Sequence, residues 1–281
     1  MKIIRSPRQM QVIIKRLKAD KKTIGFVPTM GALHKGHSSL IRRSCKDNDI
    51  TVVSIFVNPV QFGPDEDFRR YPRPLNNDIS LCEKAGVDFI FYPSVSGMYA
   101  AGFKTYVYVE ELSNLLCGKS RPGHFQGVAT VVAKLFNIVR PDSAYFGQKD
   151  AQQVVIIKRM AVDLNIPVKI RVIPTVRERG GLALSSRNLY LSREERKDAL
   201  VLSESLRLAK KLAVSGARNA AGIISAMKRL ISSKKSTRID YVAVVDPDNL
   251  KPVKRISDGC LTAVAVWIGK TRLIDNICLR Y

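Results

Sequence analysis

Histidines and paired cysteines are scarce in this chain of 281 residues, and long apolar runs are missing from it. The chain has three histidines and five scattered cysteines. No Cys-x-x-Cys or Cys-x-x-His spacing indicates a zinc site, so we expect no bound structural metal and reduced, mostly buried thiols. No apolar run approaches the roughly 20 residues that span a bilayer, which predicts that no membrane is involved.

The composition excludes further classes of protein. Hydrophobic residues make up 46% and charged residues 25% of the chain, as in ordinary globular proteins and unlike disordered, collagen-like or coiled-coil chains. No internal repeat of the length found in solenoid proteins is visible. Met1 leads directly into charged, helix-like sequence without the apolar core of a signal peptide, so we expect a cytoplasmic protein.

The excess of positive charge is the unusual feature of the composition. The chain has 47 Lys and Arg residues against 24 Asp and Glu residues, a net charge of +23. Such a surplus invites a nucleic-acid or anionic-membrane partner, because clustered cations neutralise phosphates. The surplus is spread over most of the chain, however, without a basic tail or an alternation of aromatic and basic residues. We therefore expect a basic surface without a specific nucleic-acid partner, and a nucleic-acid-binding module stays open as a rival hypothesis.

The order of predicted elements indicates an α/β fold. Short β-branched runs alternate with helix-period segments over residues 1–175, which predicts a Rossmann-like domain with a parallel sheet. A smaller α+β domain is predicted over 176–281, with the boundary near Pro174 and Gly180. The predicted strands are 23–27, 50–57, 87–91, 105–109, 144–146, 168–173, 241–245, 261–267 and 272–279. The predicted helices are 6–19, 37–45, 75–85, 127–139, 151–164, 192–213 and 219–232. Residues 58–73 are predicted to form a long surface loop.

The strongest candidate site lies at residues 28–37, Pro-Thr-Met-Gly-Ala-Leu-His-Lys-Gly-His, between a strand and a helix. Gly31 and Gly36 allow the backbone to approach a ligand, and the start of a helix offers free amides and a positive dipole end. Imidazoles at His34 and His37 can donate to phosphate oxygens and stabilise the charge that develops when a phosphate bond breaks. A surface loop or an incomplete metal site is the alternative interpretation.

Three further segments combine residue types that suit ligand binding. Asn58-Pro-Val-Gln61 follows a buried strand, and its amides suit a hydroxy acid. Gly147-Gln-Lys-Asp150 offers a flexible cation for phosphate and an acceptor for ribose hydroxyls. Leu184-Ser-Ser-Arg187 places two hydroxyls beside a guanidinium, a set that can hold the phosphates of a leaving pyrophosphate. Taken alone, each segment is also compatible with an ordinary turn.

These motifs together resemble a known family. His34-Lys-Gly-His37 resembles the His-x-Gly-His motif of the nucleotidyltransferase superfamily, which includes the class I aminoacyl-tRNA synthetases. The longer string at 28–37 is similar to that of pantoate–β-alanine ligases, the pantothenate synthetase family. Further matching segments extend the similarity over essentially the whole chain, at 54–63, 71–73, 121–125, 146–153, 182–188 and 272–276. A different nucleotidyltransferase or a tRNA-synthetase-like enzyme is the rival within the superfamily, but no segment is free to form its RNA-binding appendage.

The resemblance implies an activity and a set of residue roles. The activity is the ATP-dependent condensation of (R)-pantoate with β-alanine through pantoyl adenylate, which releases AMP and pyrophosphate. Catalytic roles are implied for His34, His37 and Lys149. ATP-binding roles are implied for Met30, Gly31, Ala32, Leu33, His34, Lys35, Gly36, His37, Gly147, Gln148, Lys149, Asp150, Val176, Leu184, Ser185, Ser186 and Arg187. Roles in binding pantoate and β-alanine are implied for Gln61, Gln153, Asn58, Tyr71 and Arg121.

The resemblance also implies a cofactor and an assembly. Mg²⁺ is expected on the triphosphate without a dedicated carboxylate cage, with Asp78 as an outer partner. A homodimer is implied by the family alone. Many members of the family carry Glu at the position of Gln148, a change that leaves Lys149 in place. His124 is interpreted as part of loop structure and is left outside the catalytic set.

Overall fold

A parallel sheet of six strands forms the first part of the molecule, as the alternating pattern predicts. The computed structural model describes residues 1–64 and 66–279. The strands are β1 (Lys2–Ile4), β2 (Ile24–Thr29), β3 (Ile50–Ile55), β4 (Phe89–Phe91), β5 (Ser143–Gly147) and β6 (Lys169–Ile173). Their order across the sheet is β1-β4-β3-β2-β5-β6, and all the pairs are parallel.

Helices cover both faces of this sheet. They are α1 (Pro7–Ala19), α2 (Lys35–Asp47), α3 (Leu75–Lys84), α4 (Val95–Met98), α5 (Cys117–Ser120), α6 (His124–Val139) and α7 (Ala151–Asp163). Alternate strand residues face opposite sides: Phe26 packs in the core formed with α1, α6 and α7, whereas Val27 packs in the core formed with α2 and α3. Because both faces are buried, the central strands are mostly apolar, and their polar residues Thr51 and Ser54 are buried as well.

A second, antiparallel sheet follows with three further helices. The helices are α8 (Arg193–Asp198), α9 (Val201–Val214) and α10 (Ala220–Ser232), and the strands are β7 (Thr237–Val245), β8 (Leu261–Ile268) and β9 (Thr271–Cys278). One side of this sheet packs on α9 and α10. Val245, Leu250 and Leu261 instead join the core of the first sheet, so the two sheets share apolar contacts. The domain division at residues 175 and 176 stays a prediction.

The predicted strand at 105–109 is wrong. This segment belongs to neither sheet, and Tyr106 and Tyr108 are each 48% exposed. The N–H of Val107 donates to Thr130 Oγ1 of α6 at 2.9 Å instead of pairing with a strand. Apolar and polar residues alternate here because every second side chain packs towards α6. An extended segment has a side-chain period of two whether or not it pairs with another strand.

Three smaller differences concern lengths and boundaries. The predicted helix 192–213 is two helices, since the N–H groups of Leu200 and Leu202 bond three residues back, to Lys197 and Ala199, and interrupt the α-helical ladder. Strand β1 was not predicted, because its three residues are too few to show the alternation of apolar and polar side chains that indicates a strand. The predicted loop 58–73 contains a short 3₁₀ turn over Pro59–Gln61.

Within the described residues, no helix has the length and hydrophobicity needed to cross a membrane.

Candidate active site

The candidate site lies where the order of the parallel strands reverses. Strand β2 lies between β3 and β5, pairing with β5 through Gly25 opposite Ser143 and Phe26 opposite Ala144. The chain leaves the carboxyl ends of β2 and β5 in different directions, and ligands of open α/β sheets bind in such crevices. A cavity of about 270 Å³ opens there and is closed on its far side by β8, β9 and the segment 184–187. The sheet topology therefore brings residues 28–37 and 147–150 to one place.

Two histidines form the start of helix α2. His34 is the N-cap residue, and its Nδ1 accepts from the N–H of Gly36 at 3.1 Å. The Nδ1 of His37 accepts from the N–H of His34 at 3.3 Å, so the pair forms a capping box in which histidines replace the usual Ser and Glu. A neutral imidazole that accepts at Nδ1 carries its proton at Nε2. Both rings therefore keep an N–H that can donate to a ligand.

Burial keeps both imidazoles uncharged. It lowers the pKa of His34 to about 4, and the nearby Lys149 acts in the same direction. Burial also lowers the pKa of His37 to about 3, with smaller contributions from His34 and Lys149. The ring centroids are 4.2 Å apart, a separation at which two imidazolium ions would repel each other. Near neutral pH the two rings are neutral hydrogen-bond donors.

Backbone constraints hold the loop that carries the histidines. Gly31 has a φ of +84°, which a side chain would strain, and a Cβ on Gly36 would lie 2.8 Å from the His34 ring. The carboxylate of Asp78, only 2% exposed, accepts from the N–H groups of Ala32 at 2.9 Å and Leu33 at 2.7 Å. Both oxygens of Asp78 therefore hold the loop, and its role as an outer partner of Mg²⁺ stays a prediction.

The second phosphate-binding candidate is a 3₁₀ turn, Gln148–Asp150, between β5 and α7. Lys149 and Asp150 line the cavity, and Lys149 Nζ lies 3.9 Å from the Asp150 carboxylate. Gln148 points away from the cavity, and its amide donates to Asn276 Oδ1 of β9 at 3.0 Å. The turn therefore presents a cation beside the histidines while its first residue is bound to the second sheet.

An amide pair lies at the apolar part of the cavity. Gln61 lines the cavity, and its Nε2 donates to Met30 Sδ at 3.1 Å. Asn58, which is 1% exposed, lies behind it: its Nδ2 donates to Gln61 Oε1 at 3.1 Å, and its Oδ1 accepts from Tyr99 Oη at 2.8 Å. Asn58 therefore orients Gln61 instead of lining the cavity. Gln153 lines the cavity from α7.

Two arginines form the opposite wall, and each is paired with a carboxylate of the loop at 58–73. Arg121 binds both oxygens of Glu66 at 2.5 and 2.6 Å, and Arg187 binds both oxygens of Asp67 at 2.9 and 2.7 Å. Burial alone would raise the pKa of each carboxyl, but the arginine bonds outweigh it and lower the pKa of both Glu66 and Asp67. Tyr71 Oη adds a hydrogen bond to Ser186 Oγ at 3.1 Å.

His124 lines the same cavity, although the sequence placed it outside the site. Its Nδ1–H donates to the carbonyl of Gln61 at 2.8 Å, and its Nε2 accepts from Arg121 at 3.0 Å. Burial lowers the pKa of His124 to about 3, and Arg121 acts in the same direction. His124 therefore orients Gln61 and Arg121. The signal that could have found it is its spacing, three residues after the predicted binding residue Arg121; α6 begins at His124, whereas the predicted helix began at 127.

The structure brings most of the predicted site residues together. The residues that line the cavity are Met30, His34, Gly36, His37, Gln61, Tyr71, Arg121, Gly147, Lys149, Asp150, Gln153, Val176, Leu184, Ser185, Ser186 and Arg187. The predicted residues outside its lining are Gly31, Ala32, Leu33, Lys35, Gln148 and Asn58. Lys35 points to solvent, and the others support the lining through the backbone of the loop or through side-chain bonds. Residues of the second sheet, such as Tyr241 and Arg272, also line the cavity and were not predicted.

The described residues contain no group of three or more His, Cys, Asp or Glu side chains placed to hold a metal ion. A Mg²⁺ ion carried by a triphosphate needs no such group, since it keeps several waters and takes one or two protein carboxylates at most. Asp150 lines the cavity beside Lys149 and fits that limited role.

Comparison with known proteins identifies the family. The model of the pantoate-beta-alanine ligase family matches residues 2–278. The chain is 56% identical over 277 residues to the pantothenate synthetase of Caldicellulosiruptor saccharolyticus, with 99% of both chains covered. It is 58% identical over 278 residues to that of a Sulfurihydrogenibium species, again with 99% of both chains covered. The chain belongs to the pantoate–β-alanine ligase family.

Solved structures agree with this assignment. Pantothenate synthetase from Thermus thermophilus superposes with a TM-score of 0.95 at 45% identity, and 100% of each chain is covered. The ligase from Francisella tularensis, described as complexed with beta-gamma ATP and beta-alanine, superposes with a TM-score of 0.83 at 37% identity, covering 99% of this chain and 97% of that one. The family, the fold class and the ligase class predicted from the sequence are confirmed.

Proposed function

We propose that this protein joins pantoate to β-alanine at the expense of ATP, through a pantoyl-adenylate intermediate, in the cavity between β2 and β5. The observation that carries this proposal is the convergence of two neutral imidazoles and Lys149 on a cavity whose other end is apolar and amide-lined. The imidazoles and Lys149 suit a triphosphate, and the apolar, amide-lined end of the cavity suits a branched hydroxy acid. The ligands named for the Francisella relative support the same assignment.

The first step is the attack of the pantoate carboxylate on the α-phosphorus of ATP. Gln61 and Gln153 hydrogen-bond pantoate, while Met30 and Pro28 contact its dimethyl group. The Nε2–H groups of His34 and His37 donate to phosphate oxygens, and Lys149 adds positive charge as the pyrophosphate leaves. Because these donors are fixed before the reaction, their contribution is positioning and electrostatic stabilisation.

The pyrophosphate side of the site is assigned to residues 184–187. Ser185 and Ser186 supply hydroxyl donors, and Arg187 supplies a guanidinium on the same segment. The hydrogen bond between Tyr71 and Ser186 joins this segment to the loop at 58–73, of which Gln61, Phe62 and Tyr71 line the cavity. Mg²⁺ on the triphosphate would neutralise part of its charge, and Asp150 is the carboxylate that would take part in holding it.

The second step is the attack of the β-alanine amine on the acyl carbon, with AMP as the leaving group. Arg121 is proposed to bind a substrate carboxylate, because it lines the cavity and is held by Glu66 and His124. Water must be excluded, since a mixed anhydride hydrolyses readily. Phe62 and Tyr71 of the loop at 58–73, together with the segment 184–187, line the cavity and are placed to exclude it.

Pyrophosphate–ATP exchange tests this proposal. Exchange should require pantoate, should not require β-alanine, and should fall about 100-fold in a Lys149→Ala variant, to a rate that is still measurable. Glu194→Gln, on the exposed face of α8, is the control and should exchange at the wild-type rate. Exchange that is independent of pantoate would contradict the assignment of the substrate, and full exchange by Lys149→Ala would contradict the role of the turn.

A homodimer, implied by the family, stays a proposal. Tyr106 and Tyr108 support it, since each is 48% exposed on an extended segment that belongs to neither sheet, with Tyr106 packed on Phe103 and Tyr108 Oη accepting from Asn114. Analytical ultracentrifugation should give a dimer mass for the wild type and a monomer mass for the double variant Tyr106→Glu, Tyr108→Glu. The cytoplasmic location and the lack of a specific nucleic-acid partner also stay predictions, which cell fractionation and salt-dependent nucleic-acid binding would test.

A further inference from the structure

The last strand of the second sheet contacts the turn that carries Lys149. Asn276, on β9, is 5% exposed. Its Nδ2 donates to the carbonyl of Gln148 at 2.9 Å and to the carbonyl of Lys149 at 2.8 Å. Its Oδ1 accepts from the amide of Gln148 at 3.0 Å. One carboxamide therefore makes three hydrogen bonds to two consecutive residues of the turn.

The turn has few local means of holding this shape. Its three residues form a 3₁₀ turn, a geometry with weaker hydrogen bonds than an α-helix. Asp150 is the N-cap residue of α7 but makes no side-chain capping bond. The carbonyls of Gln148 and Lys149 precede the N-cap residue and lie outside the hydrogen-bond ladder of α7. Asn276 donates to both of them from another part of the fold.

The orientation of Asn276 is itself fixed by its neighbours. Its backbone N–H donates to the carboxylate of Asp275 at 2.8 Å. That carboxylate, which is 2% exposed, also binds both terminal nitrogens of Arg177, at 2.5 and 2.9 Å. Since β9 is paired with β8 along its whole length, the strand is a rigid base for the Asn276 side chain.

We propose that Asn276 is a positioning residue for the adenylation step, which acts by fixing the backbone of the Gln148–Asp150 turn and hence the direction of Lys149. The inference rests on the proposed role of Lys149 in stabilising the leaving pyrophosphate. Asn276 acts through the turn and does not touch the reacting atoms. A displacement of about 1 Å in a catalytic group can reduce a rate by about 100-fold, so the predicted loss is large for a residue outside the cavity lining.

Two variants test the three hydrogen bonds. Asn276→Ala removes all three. Asn276→Asp keeps an oxygen that can accept from Gln148, but it replaces the donating Nδ2 by an oxygen, which leaves the carbonyls of Gln148 and Lys149 without a donor. Each variant should lower kcat for pyrophosphate–ATP exchange about 10- to 100-fold while leaving the KM for pantoate unchanged. The aminolysis of preformed pantoyl adenylate by β-alanine should keep its wild-type rate, because no pyrophosphate leaves in that step. Asn249→Ala, in a loop of the second sheet, is the matched control and should behave as wild type in both half-reactions.

A double variant shows whether Asn276 acts through Lys149. In a Lys149→Ala background, Asn276→Asp should change the exchange rate by less than about threefold, because the group that it positions is gone. Equal losses in the two half-reactions, or the full loss in the Lys149→Ala background, would overturn the proposal. Full exchange by Lys149→Ala alone would instead overturn the proposed role of Lys149, so the two failures are distinguishable.

Discussion

The histidine wall and the arginine wall of the cavity are held in place by different means. His34 and His37 are fixed by backbone N–H groups within three residues of sequence, and both are neutral. Arg121 and Arg187 are fixed by carboxylates 55 and 120 residues away. The bonds that hold the histidines form within one turn of helix α2. The bonds that hold the arginines form only when segments that are distant in the sequence meet in the folded protein.

This difference has an energetic basis. A neutral imidazole that accepts a backbone hydrogen bond can be buried at modest cost, because no charge is removed from water. A guanidinium in a partly buried wall needs a counter-charge, which Glu66 and Asp67 provide. The comparison shows that the uncharged donors are prepared locally, whereas the charged donors depend on the folding of the loop at 58–73.

Removal of a histidine donor should have the largest effect on the reaction. His37→Ala is expected to reduce the exchange rate about 100- to 1000-fold, corresponding to about 3–4 kcal/mol of lost transition-state stabilisation. Single-turnover formation of pantoyl adenylate measures this loss. His37→Gln, which can still donate a hydrogen bond, is the comparison variant and should retain more activity. Equal rates for both variants would show that donation by His37 is unimportant.

Removal of a carboxylate partner should have a smaller effect, on stability. Asp67→Asn leaves Arg187 without its counter-charge, and we expect the free energy of unfolding to fall by about 2 kcal/mol, since the arginine keeps partial access to solvent. Urea denaturation provides the measurement. The exposed pair of Glu194 and Lys197 is the control, because its loss through Glu194→Gln should change stability by no more than about 0.5 kcal/mol. An equal change in the free energy of unfolding of the two variants would contradict the claim that the Asp67–Arg187 pair stabilises the fold more than an exposed pair does.

At neutral pH the smallest effect on stability is expected for His124, because this group contributes only as the pH falls. The pKa of His124 is about 3 in the folded protein, below the ordinary value of 6.5, so the unfolded chain binds the proton more readily. Stability is therefore unaffected by this group above pH 6.5 and is lost as the pH falls towards 3, at no more than about 1.4 kcal/mol per pH unit. Unfolding curves between pH 7 and 4 should show a shallower decline for His124→Gln than for the wild type. An unchanged slope would mean that folding does not lower the pKa of His124.

The sequence predicted those parts of the site that depend on neighbouring residues. The end of strand β2, two glycines and the start of α2 all fall within residues 28–37, so the histidine wall could be located from the sequence alone. The position of Asn58 behind Gln61 could not be predicted, because the 3₁₀ turn decides which amide faces the cavity. The 105–109 segment was mistaken for a strand, since alternation alone does not distinguish packing on a helix from pairing in a sheet.

The long-range bonds of the site have no counterpart in a local pattern. Glu66 and Asp67 lie in a polar loop whose composition does not indicate their arginine partners. Asn276 lies in a motif that matches the family, yet nothing in that motif indicates a contact with residues 148–149, more than 120 positions away. Such pairs form where distant segments of the chain meet, which only the folded structure shows.

The hydrogen-bond direction at the two histidines also determines what they do not bind. Coordination of zinc or copper requires a nitrogen lone pair, and in His34 and His37 the lone pair at Nδ1 is already used by a backbone N–H. In this tautomer Nε2 carries the proton, so coordination of a metal by either ring would cost the loss of the proton and of the capping bond. The same capping bonds that prepare the rings for phosphate therefore disfavour the coordination of transition metals by either histidine.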